Sequence, residues 1–370
     1  MATERHPLKV VFVGQFPPPV NGLTFITSRL AAALVKAGHD VAVANTTGPA
    51  GRRSLGFHAV RALRIIHALL LMTSNARLGR PRVCYFTAEG GLGLVYSVMI
   101  ACWARLFRFR IYVHHHSFSY IVRRRTLMNL LLAWSGADAV HICLSVEMAQ
   151  DLANRYGRAI KTIVLSNAAF VDASAFEPSP RKRRELTIGL LSNLTADKGL
   201  YEFVEILRLA RQRALPIRGL LAGPVASAAD KTALETSREE LGDYLDYLGP
   251  LYDSAKAEFF KDIDVFVFLT TYLNEAQPTV LFEAMANGVP VISCDRGCIT
   301  SQVASGGCVF PQGADVVSEA LNVLEGFQQD PDLLVSQKRA ALNHFSDEQH
   351  RALEQVASLF ETTPVLIAAS

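Results

Sequence analysis

The stretch Asn274-Glu-Ala-Gln-Pro-Thr-Val-Leu-Phe-Glu-Ala-Met-Ala-Asn-Gly-Val-Pro-Val-Ile292 constrains the fold more than any other part of this chain. It opens on an acidic, Pro-containing turn, continues as a short helix, stops at Asn287-Gly288 and resumes as an apolar run from Val289 to Ser293. Pro278 suits the first turn of the helix, because its missing N–H is one that no helix bond would use. Gly288 can take the left-handed conformation that ends a helix. A short apolar run without alternation reads as a strand buried on both faces, which calls for a parallel sheet covered by helices. Glu275 then lies just before the helix start and Glu283 inside it. A helix N-terminus offers free N–H donors and a partial positive charge, which favours phosphate. Two carboxylates flanking such an anion site can accept hydrogen bonds from hydroxyl groups at both ends of a ligand. A sugar nucleotide has that layout, with phosphates in the middle and sugar and ribose hydroxyls on either side.

The chain opens with a matching pattern. Leu8 to Val13 reads as a strand, Gly14 to Gly22 as a Pro-rich turn, and Leu23, Ile26, Leu30, Leu34 and Ala37 recur at helical spacing until Gly38. Val41 to Asn45 gives a second strand, so the unit is βαβ, with a parallel sheet and a right-handed connection. The GxGxxG of a dinucleotide site is absent after the first strand. Further strands are predicted at Val83–Thr87, Arg110–Val113, Ala137–Ser145 and Lys161–Asn167, with an apolar helix over 92–106. Three histidines, His114, His115 and His116, close the Arg110 strand. Adjacent strand side chains alternate faces, so the three cannot all meet one metal ion. At the C-terminal end of a parallel strand they face the ligand crevice instead.

At 370 residues there is room for two domains. Phe170 to Pro180, followed by Arg181-Lys-Arg-Arg-Glu185, reads as the linker. The net charge of +3 conceals an asymmetry: residues 1–170 carry +14 and the remainder −11. A basic half suggests an acidic partner such as anionic lipid headgroups, phosphorylated lipid carriers or nucleic acid, the last being the weaker choice because no nucleic-acid-binding module accompanies the charge. Residues 48–82 combine Arg52, Arg53, Arg61, Arg64, Arg77, Arg80 and Arg82 with Ile65, Ile66 and Leu69 to Met72. That composition suits a helix at a membrane surface, or one covering the sheet with a solvated edge. The segment Leu92–Ala104, the most apolar, is shorter than the roughly 20 residues a bilayer requires. No signal peptide is read at the N-terminus, and the six scattered cysteines fit free thiols in a reducing compartment.

The second half begins with a strand from Leu186 that ends in a polar turn carrying Lys198-Gly199, followed by a helix over Leu200–Ala210. Lys198 is a phosphate-seeking point charge. Asp262-Ile-Asp264 has the spacing of a metal motif, but it runs straight into the apolar Val265–Leu269 and reads as a strand start.

The Glu275…Glu283 stretch with its Ala-Met-Ala, Gly and Pro-Val-Ile continuation resembles the corresponding element of the family 4 retaining glycosyltransferases, which have the GT-B fold. Nearly the whole chain resembles that family, least from 48 to 82. The resemblance implies an α/β protein with two Rossmann-like doubly wound domains facing a cleft. The first is expected over 1–172 plus a helix about 346–370 that crosses back to it, and the second over 185–345. It implies transfer of a sugar, with retention and without metal or other cofactor, from a UDP- or GDP-sugar to a saccharide or lipid-linked acceptor. Surface polysaccharide synthesis in the cytoplasm, with attachment to an anionic membrane surface, would follow. By the same resemblance Gly22 lets the backbone approach the donor phosphates. His116 (with His115 second) sits beside the donor sugar, and Lys198 grips the diphosphate. Tyr252 lies against the base, and Pro278, Thr279 and Val280 open the anion-binding helix, with N–H donors expected as far as Leu281. Glu275 holds sugar hydroxyls and Glu283 the ribose. Asn193 stands where the family has an Arg, which removes one fixed positive charge from the leaving-group site. A sugar-nucleotide epimerase or hydrolase, a donor-binding subunit without turnover, or a membrane-binding scaffold would fit parts of the same pattern.

Overall fold

The structure, a computed structural model, describes residues 7–49, 55–76, 82–173 and 185–369. The expected linker residues 174–184, with Arg181 to Arg184, lie outside them, as do Arg52, Arg53, Arg77 and Arg80. The chain forms two compact units, one of Met1–Phe170 with His350–Ser370, the other of Val171–Gln349. The described residues hold β1 (Lys9–Gly14), β2 (Asp40–Asn45), β3 (Arg82–Ala88), β4 (Arg110–His115), β5 (Val140–Cys143), β6 (Ile160–Val164), β7 (Leu186–Leu191), β8 (Ile217–Ala222), β9 (Leu245–Tyr247), β10 (Val265–Phe268), β11 (Val291–Cys294), β12 (Gly307–Phe310) and β13 (Val365–Ile367).

In the first unit the strand order is β13-β6-β5-β4-β3-β1-β2, and every pairing is parallel except that of β13 with β6. The helix Gly22–Lys36 starts at Asn21, whose side chain accepts from the Thr24 N–H while the Thr24 hydroxyl accepts from the Asn21 N–H. This reciprocal cap fixes where the strand-end loop stops and the helix begins. The core joins Val10, Phe12, Leu30, Tyr85, Tyr112 and Ile142 from sheet and helix to Val356, Leu359 and Phe360 from the chain's end. The helix Pro331–Ala357 is continuous, with residues to Gln349 counted in the second unit and those from His350 in the first.

The helix Leu55–Ala76 packs on β1 and β2 through a stripe of Ile65, Ala68, Met72 and Asn75. It is a sheet-covering helix, and it leaves Leu63, Ile66 and Leu70 exposed. The apolar segment Leu92–Ala104 falls largely in the 13-residue helix Leu94–Leu106, short of bilayer length as expected. Gly56–Ala76, with 21 residues, is long and apolar enough by length and composition to cross a membrane. Of the basic residues expected along this region, Arg61 pairs with Glu89, Arg64 donates to the Thr47 carbonyl, and Arg82 lies over the Phe109 ring.

The second unit carries the order β12-β11-β10-β7-β8-β9, with every pairing parallel. The strand expected at Val289–Ser293 begins two residues later, at Val291. The Val289 N–H returns to the Ala284 carbonyl to close the preceding helix, and Pro290 has no N–H to offer the ladder. Gly288 does adopt a positive φ, of 64°. Asp264 is buried and engaged: it lies 2.7 Å from Lys338 and accepts from the Thr187 N–H at 3.0 Å. Its carboxylate anchors the sheet to the long helix.

Candidate functional site

All strands of the second sheet are parallel, so their C-terminal ends lie on one edge, and the loops that follow them share it. From β7 the chain moves to β8 on one side, whereas from β10 it moves to β11 on the other. The adjacent pair β7 and β10 is therefore the switch point, where loops diverge and leave a crevice. Lys198 lies on the loop after β7 and Glu275 on the loop after β10. Their side chains meet as an ion pair with only 19% and 12% of their surface exposed. The Lys198 ammonium also lies 4.4 Å from the Tyr272 ring centroid. The two loops are tied together by the Asp197 carbonyl, which accepts from the Thr271 N–H and the Thr270 hydroxyl, each at 3.0 Å. Gly199 permits this approach. It has φ +87° and packs so closely that a Cβ there would stand 2.9 Å from the Leu269 carbonyl oxygen.

The turn after Glu275 leads into the helix Thr279–Ala286, with Pro278 at its N-cap in extended conformation. The Pro278 carbonyl accepts from the Leu281 N–H at 3.2 Å and from the Gln302 side chain at 2.8 Å. The N–H donors expected over Thr279 to Leu281 thus reduce to those of Thr279 and Val280, because Leu281 spends its own inside the turn. Glu283 follows Thr279 by one helical turn, and its Oε2 lies 2.5 Å from the Lys256 ammonium. Lys256 sits on the helix Asp253–Asp262, whose N-cap is Tyr252, with 67% of that residue exposed. The second unit therefore gathers Lys198, Glu275, Pro278, Thr279, Val280, Glu283 and Lys256 around one strand-end edge, with Tyr252 on the helix that carries Lys256. Asn193, on the loop after β7, is exposed.

Sequence reasoning did not find Lys256. Its signal was a lone cation in Ala-Lys-Ala-Glu, a pattern shared with any solvated helix face, and its partner lies 27 positions further on.

In the first unit Gly22 opens the helix that follows β1, and His116 lies on the loop after β4, immediately past the C-terminal end of that strand. Gly22 is exposed, and a Cβ there would meet nothing within 4 Å, so packing alone does not demand glycine at this position. The histidines divide between the two sheet faces as the strand period requires. His114 and His116 stack with ring centroids 3.8 Å apart, and His114 Nδ1 is 2.5 Å from the Tyr85 hydroxyl. His115 points the other way, 3.0 Å from both the Tyr120 hydroxyl and His141 Nδ1. Its two ring nitrogens are thereby committed, which removes it as an alternative to His116. The His116 Nε2 is buried without a hydrogen-bond partner, and burial pushes that imidazole's pKa down to about 3. A neutral ring with an uncommitted nitrogen can donate to or accept from a hydroxyl. The sheet's own switch point, between β1 and β3, holds a cluster that the sequence did not announce. Glu89 Oε1 accepts from Gln15 Nε2 at 3.1 Å and from Arg61 Nη2 at 2.6 Å.

Two parallel-sheet Rossmann-like units of this kind define the GT-B fold. HepE from Anabaena, crystallised with UDP, superposes with a TM-score of 0.71 over 96% of this chain and 100% of its own, at 16% identity. The lipopolysaccharide glycosyltransferase WaaG superposes with a TM-score of 0.60 over 95% of this chain and 99% of its own, at 14% identity. Residues 172–339, which fall almost wholly within the second unit, match the family described as glycosyl transferases group 1. A D-inositol 3-phosphate glycosyltransferase from Gordonia bronchialis is 28% identical over 190 residues, 47% of this chain and 41% of that protein. The gpi3 subunit of the phosphatidylinositol N-acetylglucosaminyltransferase of Schizosaccharomyces pombe is 28% identical over 201 residues, 52% of this chain and 42% of that protein. The chain thus spans about two-fifths of the length of the curated relatives it matches.

Proposed function

We propose that this protein is a retaining glycosyltransferase that moves a sugar from a UDP- or GDP-sugar to a saccharide or lipid-linked acceptor, without a metal. The observation that carries this reading is the Lys198–Glu275 pair at the β7/β10 switch point, one turn ahead of the first-turn N–H groups of Thr279 and Val280, where Pro278 supplies no side-chain cap. Those groups are cationic and dipolar donors suited to a diphosphate. On binding, the diphosphate takes over Lys198, which frees Glu275 to accept from sugar hydroxyls. Glu283, already beside Lys256, accepts from the ribose, and the exposed Tyr252 ring lies against the base. For the first unit, the roles proposed from the resemblance are orientation of the sugar by the uncommitted nitrogen of His116 and close backbone approach at Gly22. Fixed charges that neutralise the leaving diphosphate do the work a metal would otherwise do.

A panel of nucleoside diphosphates in a thermal-shift assay tests the donor half of this reading. A cognate diphosphate at 100 times its dissociation constant should add about 2.7 kcal/mol to stability, and the base that does so names the donor. No shift with either UDP or GDP would overturn the assignment. Product assays with and without acceptor separate transfer from epimerisation or hydrolysis.

The acceptor side favours a membrane-linked substrate in the cytoplasm, in surface polysaccharide synthesis. The first half carries +14, and Leu63, Ile66 and Leu70 stand exposed along one helix. Such a surface binds where acyl chains and anionic headgroups are both present. The full chain should sediment with vesicles containing anionic phospholipid, and less so as salt is raised. Equal recovery with purely zwitterionic vesicles would rule out the electrostatic part.

A further inference from the structure

We propose that the first unit carries a second anion site, for a diphosphate group, at the strand edge opposite the one that bears His116. A cavity of about 520 Å³ opens where β4, β5 and β6 begin. Arg105, Arg108, Arg110 and Lys161 line it, with Asp138 as its carboxylate. Asp138 is taken by Lys161 at 2.7 Å. The three arginines have no carboxylate partner among the described residues, so the cavity wall carries a net charge of about +3.

Part of that charge serves the fold. Arg105 donates to the Ala133 carbonyl at 3.3 Å, in the last turn of the helix Thr126–Ser135, and Arg110 donates to the Phe360 carbonyl at 3.3 Å and the Tyr112 hydroxyl at 2.9 Å. Cations beside helix C-termini are an ordinary stabilising arrangement. Yet a guanidinium has five N–H donors, and these contacts use one on Arg105 and a single Nη on Arg110. The Arg108 guanidinium serves no carbonyl among the described residues. Arg108 holds φ +56° just past the end of the helix Leu94–Leu106, at the position where glycine is the usual solution, and so keeps a guanidinium where the backbone prefers none. Three forks around one hollow exceed what a single phosphate would neutralise and match the charge of a diphosphate. The wall behind them is apolar, formed by Phe109, Ile111, Val140 and Pro364. The diphosphate can therefore be a free anion or the head of an apolar ester.

The two tryptophans of the chain, Trp103 and Trp134, both belong to the first unit, so their emission reports on that unit and not on the one that carries Lys198. Inorganic pyrophosphate titrated into the full chain should change that emission saturably and bind at least tenfold more tightly than orthophosphate. In Arg108→Gly, which relieves the backbone and removes the guanidinium, the dissociation constant should rise at least tenfold while the melting temperature holds or increases. Lys198→Ala should leave this binding unchanged. An n-decyl diphosphate that binds more tightly than pyrophosphate assigns the site to an apolar ester, and equal binding assigns it to the free anion. No saturable change, binding undiminished in Arg108→Gly, or binding lost in Lys198→Ala would each overturn the proposal and leave the arginines as helix caps only.

Discussion

Lowering the pH from 7.5 to 5.0 is expected to destabilise the first unit by about 4 kcal/mol, largely ahead of the main carboxylate titration. The cause lies in His116 and His141. Burial pushes their pKa values down to about 3 and about 4, whereas an unfolded histidine titrates near 6.5. Because the folded values are depressed, the unfolded chain binds protons between pH 6.5 and 4 that the folded chain refuses. Stability is therefore full above about pH 6.5 and falls as pH drops below it, by about 1.4 kcal/mol per pH unit for each such group. At pH 5.0 each of the two costs about 2 kcal/mol on that basis. His114 and His115, also driven down by burial first and by neighbouring histidines second, add to the loss. Urea titrations followed by tryptophan emission isolate the effect, since Trp103 and Trp134 both belong to the first unit. His141→Gln should flatten the pH dependence by about one proton. An unfolding midpoint that does not move between the two pH values would mean that these rings are hydrated or charged in the folded state.

The division of those histidines shows what a sequence reveals and what it hides. That three consecutive residues on a strand must alternate faces follows from the strand period alone. That His141 would complete the second face, 26 positions after His115, depends on the β4–β5 pairing, which no local pattern encodes. The same contrast holds elsewhere. The buried parallel strands were legible because central strands are apolar on both faces, and the Glu275 to Glu283 element was legible because Pro and Gly punctuate it. The edge strand β12 has four residues and opens on a glycine, too short a run to show a period. The strand β13 has three residues, two of them exposed, so nothing in its composition sets it apart from a tail. Lys256 and Arg61 look like solvated cations until the fold carries Glu283 and Glu89 to them. The loops after β7 and β10 were each legible as phosphate-facing, but their meeting is a product of strand order, because only a sheet that places β10 beside β7 puts Lys198 on Glu275.

On the proposed reading, Lys198→Ala should lower kcat for sugar transfer by about 10²–10³-fold, a loss typical of removing one preorganised donor from a developing negative charge. The ammonium is half-hidden from water, held by Glu275 on one side and the Tyr272 ring on the other, so its charge is screened less than that of a surface lysine. As the glycosidic bond breaks, charge accumulates on the departing diphosphate, and only interactions that strengthen with that charge raise kcat. Neither neighbour named above replaces it, for Asn193 is neutral and exposed, and Lys256 is engaged by Glu283. The fold should tolerate the change at a cost of about 1 kcal/mol, since the pair is partly open to solvent and Glu275 can recruit water. The informative comparison is therefore kcat against melting temperature in one variant. Lys198→Arg, which keeps the charge but changes its shape, should recover part of the rate. Turnover in Lys198→Ala equal to that of the unaltered chain would show that leaving-group stabilisation is supplied elsewhere, and the pairing with Glu275 would then be a structural tie between two loops.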